Sequence, residues 1–268
     1  LKTKHRNFDP FENLKVMESC RRPSGGFVAS PPPAKEYNAL WLRDFLFCIN
    51  SYWYMSENEI FPEEIRKDFK QKLWLGMCLA FDIFKKDIDK IIRRVGSPIE
   101  VPGGIIHAKR DADTFEEITR DLGDLGWGHD QLDMIGQFLY MVADFTFKNI
   151  EIVRSKDDLE ILQLLIFYLR SVEYWHHHDF GMWEECRLIH FSSISACVGG
   201  LGYLRRQNIK FENKTLIIDD SLIRHGEDAL KKIFPYESRP EICMCAICKR
   251  HAHVYPRHSH DCDASQMT

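Results

Sequence analysis

The chain has 268 residues, 44% of them hydrophobic and 12% aromatic, enough to bury a sizeable core in one large domain or two small ones. A formal net charge of −4 speaks against a nucleic-acid partner, and no apolar run reaches the roughly 18 to 20 residues of a membrane span. Nine cysteines at irregular spacing form no disulfide framework. Cys20, Cys48, Cys78, Cys186 and Cys197 read as reduced thiols, and no secretory leader is visible, so a cytoplasmic location is expected.

Residues 1–22 are polar and weakly periodic and read as a lead-in. A short extended run through Phe27 and Val28 ends in Pro31-Pro32-Pro33, which cannot be helical because each proline lacks an N–H and biases its predecessor to extended backbone. From about 38 to 55 the apolar density predicts a buried helix. Arg43 and Asp44 stand at its start. Adjacent helical residues diverge by about 100° and are poorly placed to pair with each other. Each is expected either in a separate salt bridge or on a separate hydroxyl of a polar ligand.

Pro62, followed by Glu63 and Glu64, opens the next helix, and Ile65, Phe69, Leu73, Met77 and Phe81 give its stripe. A shorter amphipathic piece begins at 88, and residues 105–111 suit a strand or loop better than a helix. After the glycine-rich turn 123–128, a helix is expected to start near Asp130 as N-cap. Trp127, His129, Gln131 and Asp133 cluster at that start, either lining a site or forming a solvated first turn. Ser155 with Asp158 resembles a capping box, opening a helix to about Val172 that is apolar nearly all round.

His176-His177-His178 are adjacent and point apart, whereas zinc sites favour spaced ligands, so a polar loop is the better reading and no metal is expected. Asp179-Phe180-Gly181-Met182-Trp183-Glu184-Glu185 follows. A carboxylic acid beside an apolar ring loses hydration, which favours its protonated form, and a tryptophan face can stack on a sugar. Glycosidases need such an acid to protonate a leaving oxygen. The segment 189–202 is rich in small residues, and its three glycines need a packing reason, since each costs roughly 1 kcal/mol in a helix relative to alanine. Residues 211–218 are a short strand or irregular. Asp219 or Asp220 then caps a helix running to about Phe234 and stopped by Pro235. The pattern predicts an all-α fold of helical hairpins.

Four segments stand in order: Gly26-Phe27-Val28-Ala29-Ser30-Pro31 with Trp41-Leu42-Arg43-Asp44; Trp127-Gly128-His129-Asp130-Gln131-Leu132-Asp133; the motif around Trp183-Glu184-Glu185; and His190-Phe191-Ser192-Ser193-Ile194. Together they resemble glycoside hydrolase family 15, the glucoamylase-like enzymes, and the related domain of phosphorylase kinase regulatory subunits. The resemblance implies an (α/α)6 barrel and an inverting, exo-acting mechanism on the α-glucosidic bonds of an α-glucan or α-glucoside, with no cofactor. It makes Glu184 the general acid and Glu185 a substrate-binding carboxylate. Trp41, Arg43 and Asp44 fall in the segment that grips the terminal glucose. Trp127, Gln131, Asp133 and Trp183 complete the substrate contacts.

The chain departs from the pattern toward its end. Twelve helices with loops need on the order of 300 residues or more, against about seven or eight helices read in this sequence. Residues 1–242 are therefore expected to form an incomplete catalytic domain that stops before the family's general base. After 242 come Cys243, Cys245, Cys248, His251, His253, His258, His260 and Cys262. This tail reads either as a frame-shift product or as a metal-binding segment. A chain without the base is expected to be inactive or nearly so. The competing function is a non-catalytic regulatory or binding module.

Overall fold

A computed structural model describes residues 9–33, 37–97, 104–118, 128–184 and 187–238. The Cys/His-rich tail, Trp127 and Glu185 lie outside the described residues. The chain divides into two compact units, Leu1–Gly76 with Lys109–Ile118, and Met77–Ala108 with Thr119–Thr268.

In the first unit, α1 (Pro10–Ser19) departs from the lead-in expected there. Asp9 caps it by accepting from the Phe11 N–H at 2.9 Å, and Pro10 opens it with its preset φ. None of its residues is buried, which is why its apolar periodicity is weak. Beyond a turn, Arg21 and Phe27 bridge antiparallel. Leu40 and Trp41 (β1) pair antiparallel with Lys109 and Arg110 (β2), in the register Leu40 to Arg110. Helix α2 (Leu42–Ser56) therefore starts later than expected, because residues 40–41 are used as strand. Phe27, Phe45, Tyr52, Phe61 and Phe69 form a ring cluster with centroids 5.2 to 6.3 Å apart. Each full burial contributes about 2 to 3 kcal/mol. The Tyr52 hydroxyl donates to Glu18 at 2.8 Å, and Lys72 joins the same carboxylate at 2.8 Å.

Helix α3 (Glu63–Lys86) begins just after Pro62, and its course crosses the boundary between the units. In the second unit its Phe81 and Phe84 pack on Phe138, with centroids 5.0 and 4.7 Å apart. There follow α4 (Ile88–Gly96), α5 (Asp133–Phe147), α6 (Lys156–Ser171), α7 (Phe191–Gln207) and α8 (Asp220–Ile233). A small hairpin, β3 (Lys210–Phe211) and β4 (Lys214–Thr215), lies between α7 and α8. Neighbouring helices pair as α5 with α7, α4 with α6, and α7 with α8. The capping expectations at Ser155 and Asp219 hold: Ser155 accepts from the Asp158 N–H and Asp219 from the Ser221 N–H.

Helices α5 and α7 approach closely at two glycines. A Cβ on Gly136 would lie 2.3 Å from the Ala196 carbonyl carbon, and one on Gly200 would lie 2.4 Å from the Gly136 carbonyl oxygen. The packing reason for the glycines of α7 thus applies to Gly200. Gly199 and Gly202 have nothing nearer than 4.0 and 3.8 Å. Among the described residues, no helix is long and apolar enough to cross a membrane.

Candidate active site at the starts of α5 and α7

The Glu184 loop is tied off at its base. Asp179 and Leu188 exchange two backbone hydrogen bonds of 2.9 Å. The Phe180 N–H donates to the Asp130 carbonyl at 2.9 Å, and the Phe180 ring fills the space above Gly128, where a Cβ would come within 2.2 Å. Gly181 has φ +57° and lies against the His190 ring, so a side chain there meets both strain and a clash. The Glu184 N–H returns to the Phe180 carbonyl at 3.1 Å, and Glu184 itself has φ 56°. A left-handed backbone at a non-glycine residue costs roughly 1–2 kcal/mol and persists where its surroundings enforce it.

One of those surroundings is Gln131. It is 1% exposed and donates through Nε2 to the Gly128 carbonyl and to Glu184 Oε1, each at 2.8 Å. The amide fixes one carboxylate oxygen of a partly exposed glutamate, beside Trp183, which is 49% exposed. Asp133, buried, is the first residue of α5.

Asp130 is not the N-cap expected from the sequence. Its Oδ2 accepts from His177 Nε2 at 2.7 Å and lies 3.2 Å from Arg187 Nη2. With that carboxylate engaged elsewhere, the cap of α5 falls two residues later, at Leu132. Arg187 also donates through Nε to the His178 carbonyl at 2.8 Å. The three histidines border a recess of about 320 Å3 with Arg94, Glu173 and Arg187. Burial first, and then the Arg187 charge, push the His178 pKa down. Among the described residues, no group of three or more His, Cys, Asp or Glu side chains is placed to hold a metal.

Trp41, Arg43 and Asp44 belong to the first unit. Trp41 is buried, with the Lys109 ammonium 5.2 Å from its ring centroid. Arg43 Nε approaches Asp44 Oδ1 at 3.8 Å, which corrects the expectation that these neighbours stay apart. The distance is an ion contact and too long for a hydrogen bond.

Sequence reasoning gave no role to Asp179, Ser193 or Glu237. Asp179 is fully buried, and its Oδ2 accepts from the Leu132 N–H at 2.9 Å and the Ser193 hydroxyl at 2.6 Å. Burial pushes its pKa up to about 6, against the opposing pull of His190, Ser193 and the Leu132 N–H. Glu237 accepts from the Ser192 hydroxyl and backbone N–H at the start of α7, and its backbone carbonyl accepts from Phe191 at 2.7 Å. A carboxylate near the Ser192-Ser193 pair is the capping signal that sequence could have offered, but the accepting carboxylate, Glu237, lies forty-five positions along the chain.

Residues 107–202 coincide with a known family model, described as glycosyl hydrolases family 15. The segment matches family 15. It contains Gln131, Asp133, Asp179, Trp183 and Glu184. Curated relatives include a probable phosphorylase b kinase regulatory subunit alpha of Drosophila melanogaster, 28% identical over 57% of this chain. The liver isoform of that subunit in Takifugu rubripes is 34% identical over 58% of this chain. Either match spans 12% of the relative's own length. Among solved structures, a wild-type glycosidase superposes with TM-score 0.53 at 14% identity, covering 85% of this chain and 58% of that one. A glycosidase variant in complex with glucose gives 0.52 at 15% identity, with the same coverage. The likeness to these glycosidases bears out the all-α fold class of the (α/α)6 type.

Proposed function

We propose that this chain recognises α-linked glucose at a family 15-type site, and that Glu184 is the group that protonates the leaving oxygen of an α-glucosidic bond. The observation that carries the reading is the 2.8 Å contact from Gln131 to Glu184. It joins two of the motif segments and orients the carboxyl group before substrate arrives, and such preorganisation lowers the cost of reaching the transition state. The half-exposed ring of Trp183 supplies a stacking face beside it. In this reading Trp127, Asp133 and Glu185 bind the sugar. Inverting hydrolysis also needs an ionised carboxylate about 6.5–9.5 Å from the acid, with water beside it. Malto-oligosaccharide, trehalose and α-1,6-linked glucan remain candidates within this substrate class.

A second reading has its own support: the curated relatives are named as phosphorylase b kinase regulatory subunits. In it, the site binds sugar or a partner without turnover. Glucose release from maltotetraose, measured beside maltotetraose binding by calorimetry, separates the two. The glycosidase reading expects Glu184→Gln, in a protein that also carries the second carboxylate, to lower release by about 10²- to 10⁴-fold while leaving binding within a few-fold. Binding without release, unchanged in Glu184→Gln, favours the regulatory reading. Absence of both release and binding overturns the sugar site.

A further inference from the structure

The loop that carries Glu184 is held at its base by one buried oxygen. Oδ2 of Asp179 accepts from the Leu132 N–H, at the cap of α5, and from the Ser193 hydroxyl, in the first turn of α7. The same residue's backbone closes the loop through its two bonds to Leu188. The loop then rests on the same two helix starts again. Phe180 bonds the Asp130 carbonyl and covers Gly128, and Gly181 lies on the ring of His190, the cap of α7. We propose that Asp179 is the positioning residue of the site: one carboxylate oxygen shared between the starts of α5 and α7 latches the Glu184 loop to both helices.

Gln131, also at the start of α5, then orients the Glu184 carboxyl group. The start of α5 thus serves both loop placement, with α7, and side-chain orientation. The reading of Glu184 as proton donor enters only in naming what is positioned. The latch itself is a claim about loop order.

The chemistry of the latch distinguishes it from a merely buried charge. Both donors meet Oδ2, and Oδ1 has no hydrogen-bond partner among the described residues. An asparagine can present its carbonyl oxygen to both donors, and an alanine can present nothing. The titratable groups that act on Asp179 from the packed elements are His190 and Cys197 of α7 and Asp130 before α5. Burial outweighs them and favours the uncharged form. The uncharged asparagine is therefore a sound replacement for holding the loop.

Amide hydrogen exchange tests this in wild type, Asp179→Asn, Asp179→Ala and Ser193→Ala, without reference to activity. Asp179→Ala is expected to speed exchange of the hydrogen-bonded amides of Phe180, Glu184 and Leu188 at least tenfold, with amides in the middle of α6 unchanged. Ser193→Ala, which removes one of the two bonds, falls between, and Asp179→Asn stays within threefold of wild type. If Asp179→Ala does not fold, Ser193→Ala and Asp179→Asn carry the same comparison. Unchanged loop exchange in Asp179→Ala, or in Ser193→Ala where Asp179→Ala does not fold, overturns the latch, as does Asp179→Asn exchanging at least tenfold faster than wild type. Where glucose release is measurable, Asp179→Ala lowers kcat more than it raises KM and Asp179→Asn restores it. Absence of release bears on the role of Glu184 alone.

Discussion

Asp179 and Asp158 are both fully buried carboxylates, yet their environments shift them in opposite directions. Asp179 has two neutral donors on one oxygen, and burial wins, raising its pKa to about 6. Its unfolded reference is near 3.9, so its ionisation weakens the fold progressively between about pH 4 and 6, by roughly 3 kcal/mol in full at pH 7. Asp179→Asn removes that charge and keeps an acceptor. Urea unfolding should find the variant gaining on wild type as the pH rises from 4 to 7, by about 1 to 3 kcal/mol. A difference that stays constant across that range would contradict the shift. Sequence showed Asp179 only as the first letter of a motif, because its value depends on Leu132 and Ser193, the latter fourteen positions away. Gln131 was legible as a polar residue at a helix start. Its pairing with Glu184, fifty-three positions on, was not.

At the level of helices, periodicity placed α3, α6 and α8 well because their caps are local: Ser155, Asp219 and the proline before Glu63 act within a few residues. It misplaced the start of α5, where the local cap candidate Asp130 is engaged by His177 and Arg187. It missed α1, which has no buried face to set a period. The glycines of α7 separate two effects that sequence merges. A Cβ on Gly199 would meet nothing nearer than Tyr140 at 4.0 Å, so Gly199→Ala should gain up to about 1 kcal/mol from helix propensity. Gly200 sits under the Gly136 carbonyl, so Gly200→Ala should lose about 1 to 3 kcal/mol by forcing α5 and α7 apart. Thermal unfolding of the two variants reads the difference in sign. Equal shifts would mean that the close helix crossing does not set the cost.

For the whole molecule, the stretch that matches family 15, residues 107–202, was legible because its motifs are short and contiguous. How the helices exchange charge across the fold was not. Asp158, in the first turn of α6, accepts from Arg154 at 2.9 Å and meets Lys85 of α3 at 2.6 Å, and Arg154 reaches Asp82 of α3 at 2.8 Å. Burial alone would raise the Asp158 pKa, but the Arg154 and Lys85 hydrogen bonds prevail and hold it below the usual aspartate range. A depressed carboxylate stabilises the fold above its unfolded pKa near 3.9, and that stability is lost as pH falls through the lower folded value. Acid should therefore act on the two buried aspartates in sequence. Between pH 6 and 4 the protonation of Asp179 favours the fold, and below about pH 4 the loss of the Asp158 pairs opposes it. Asp158→Asn leaves Arg154 and Lys85, each about a quarter exposed, to recover part of their hydration. Its cost at pH 7 should be about 1 to 3 kcal/mol, below the 3 to 5 of a fully enclosed pair. The variant should also lose the steep part of the acid unfolding curve below pH 4, measured by far-ultraviolet circular dichroism. An unchanged acid limb in Asp158→Asn would place the acid sensitivity in other carboxylates.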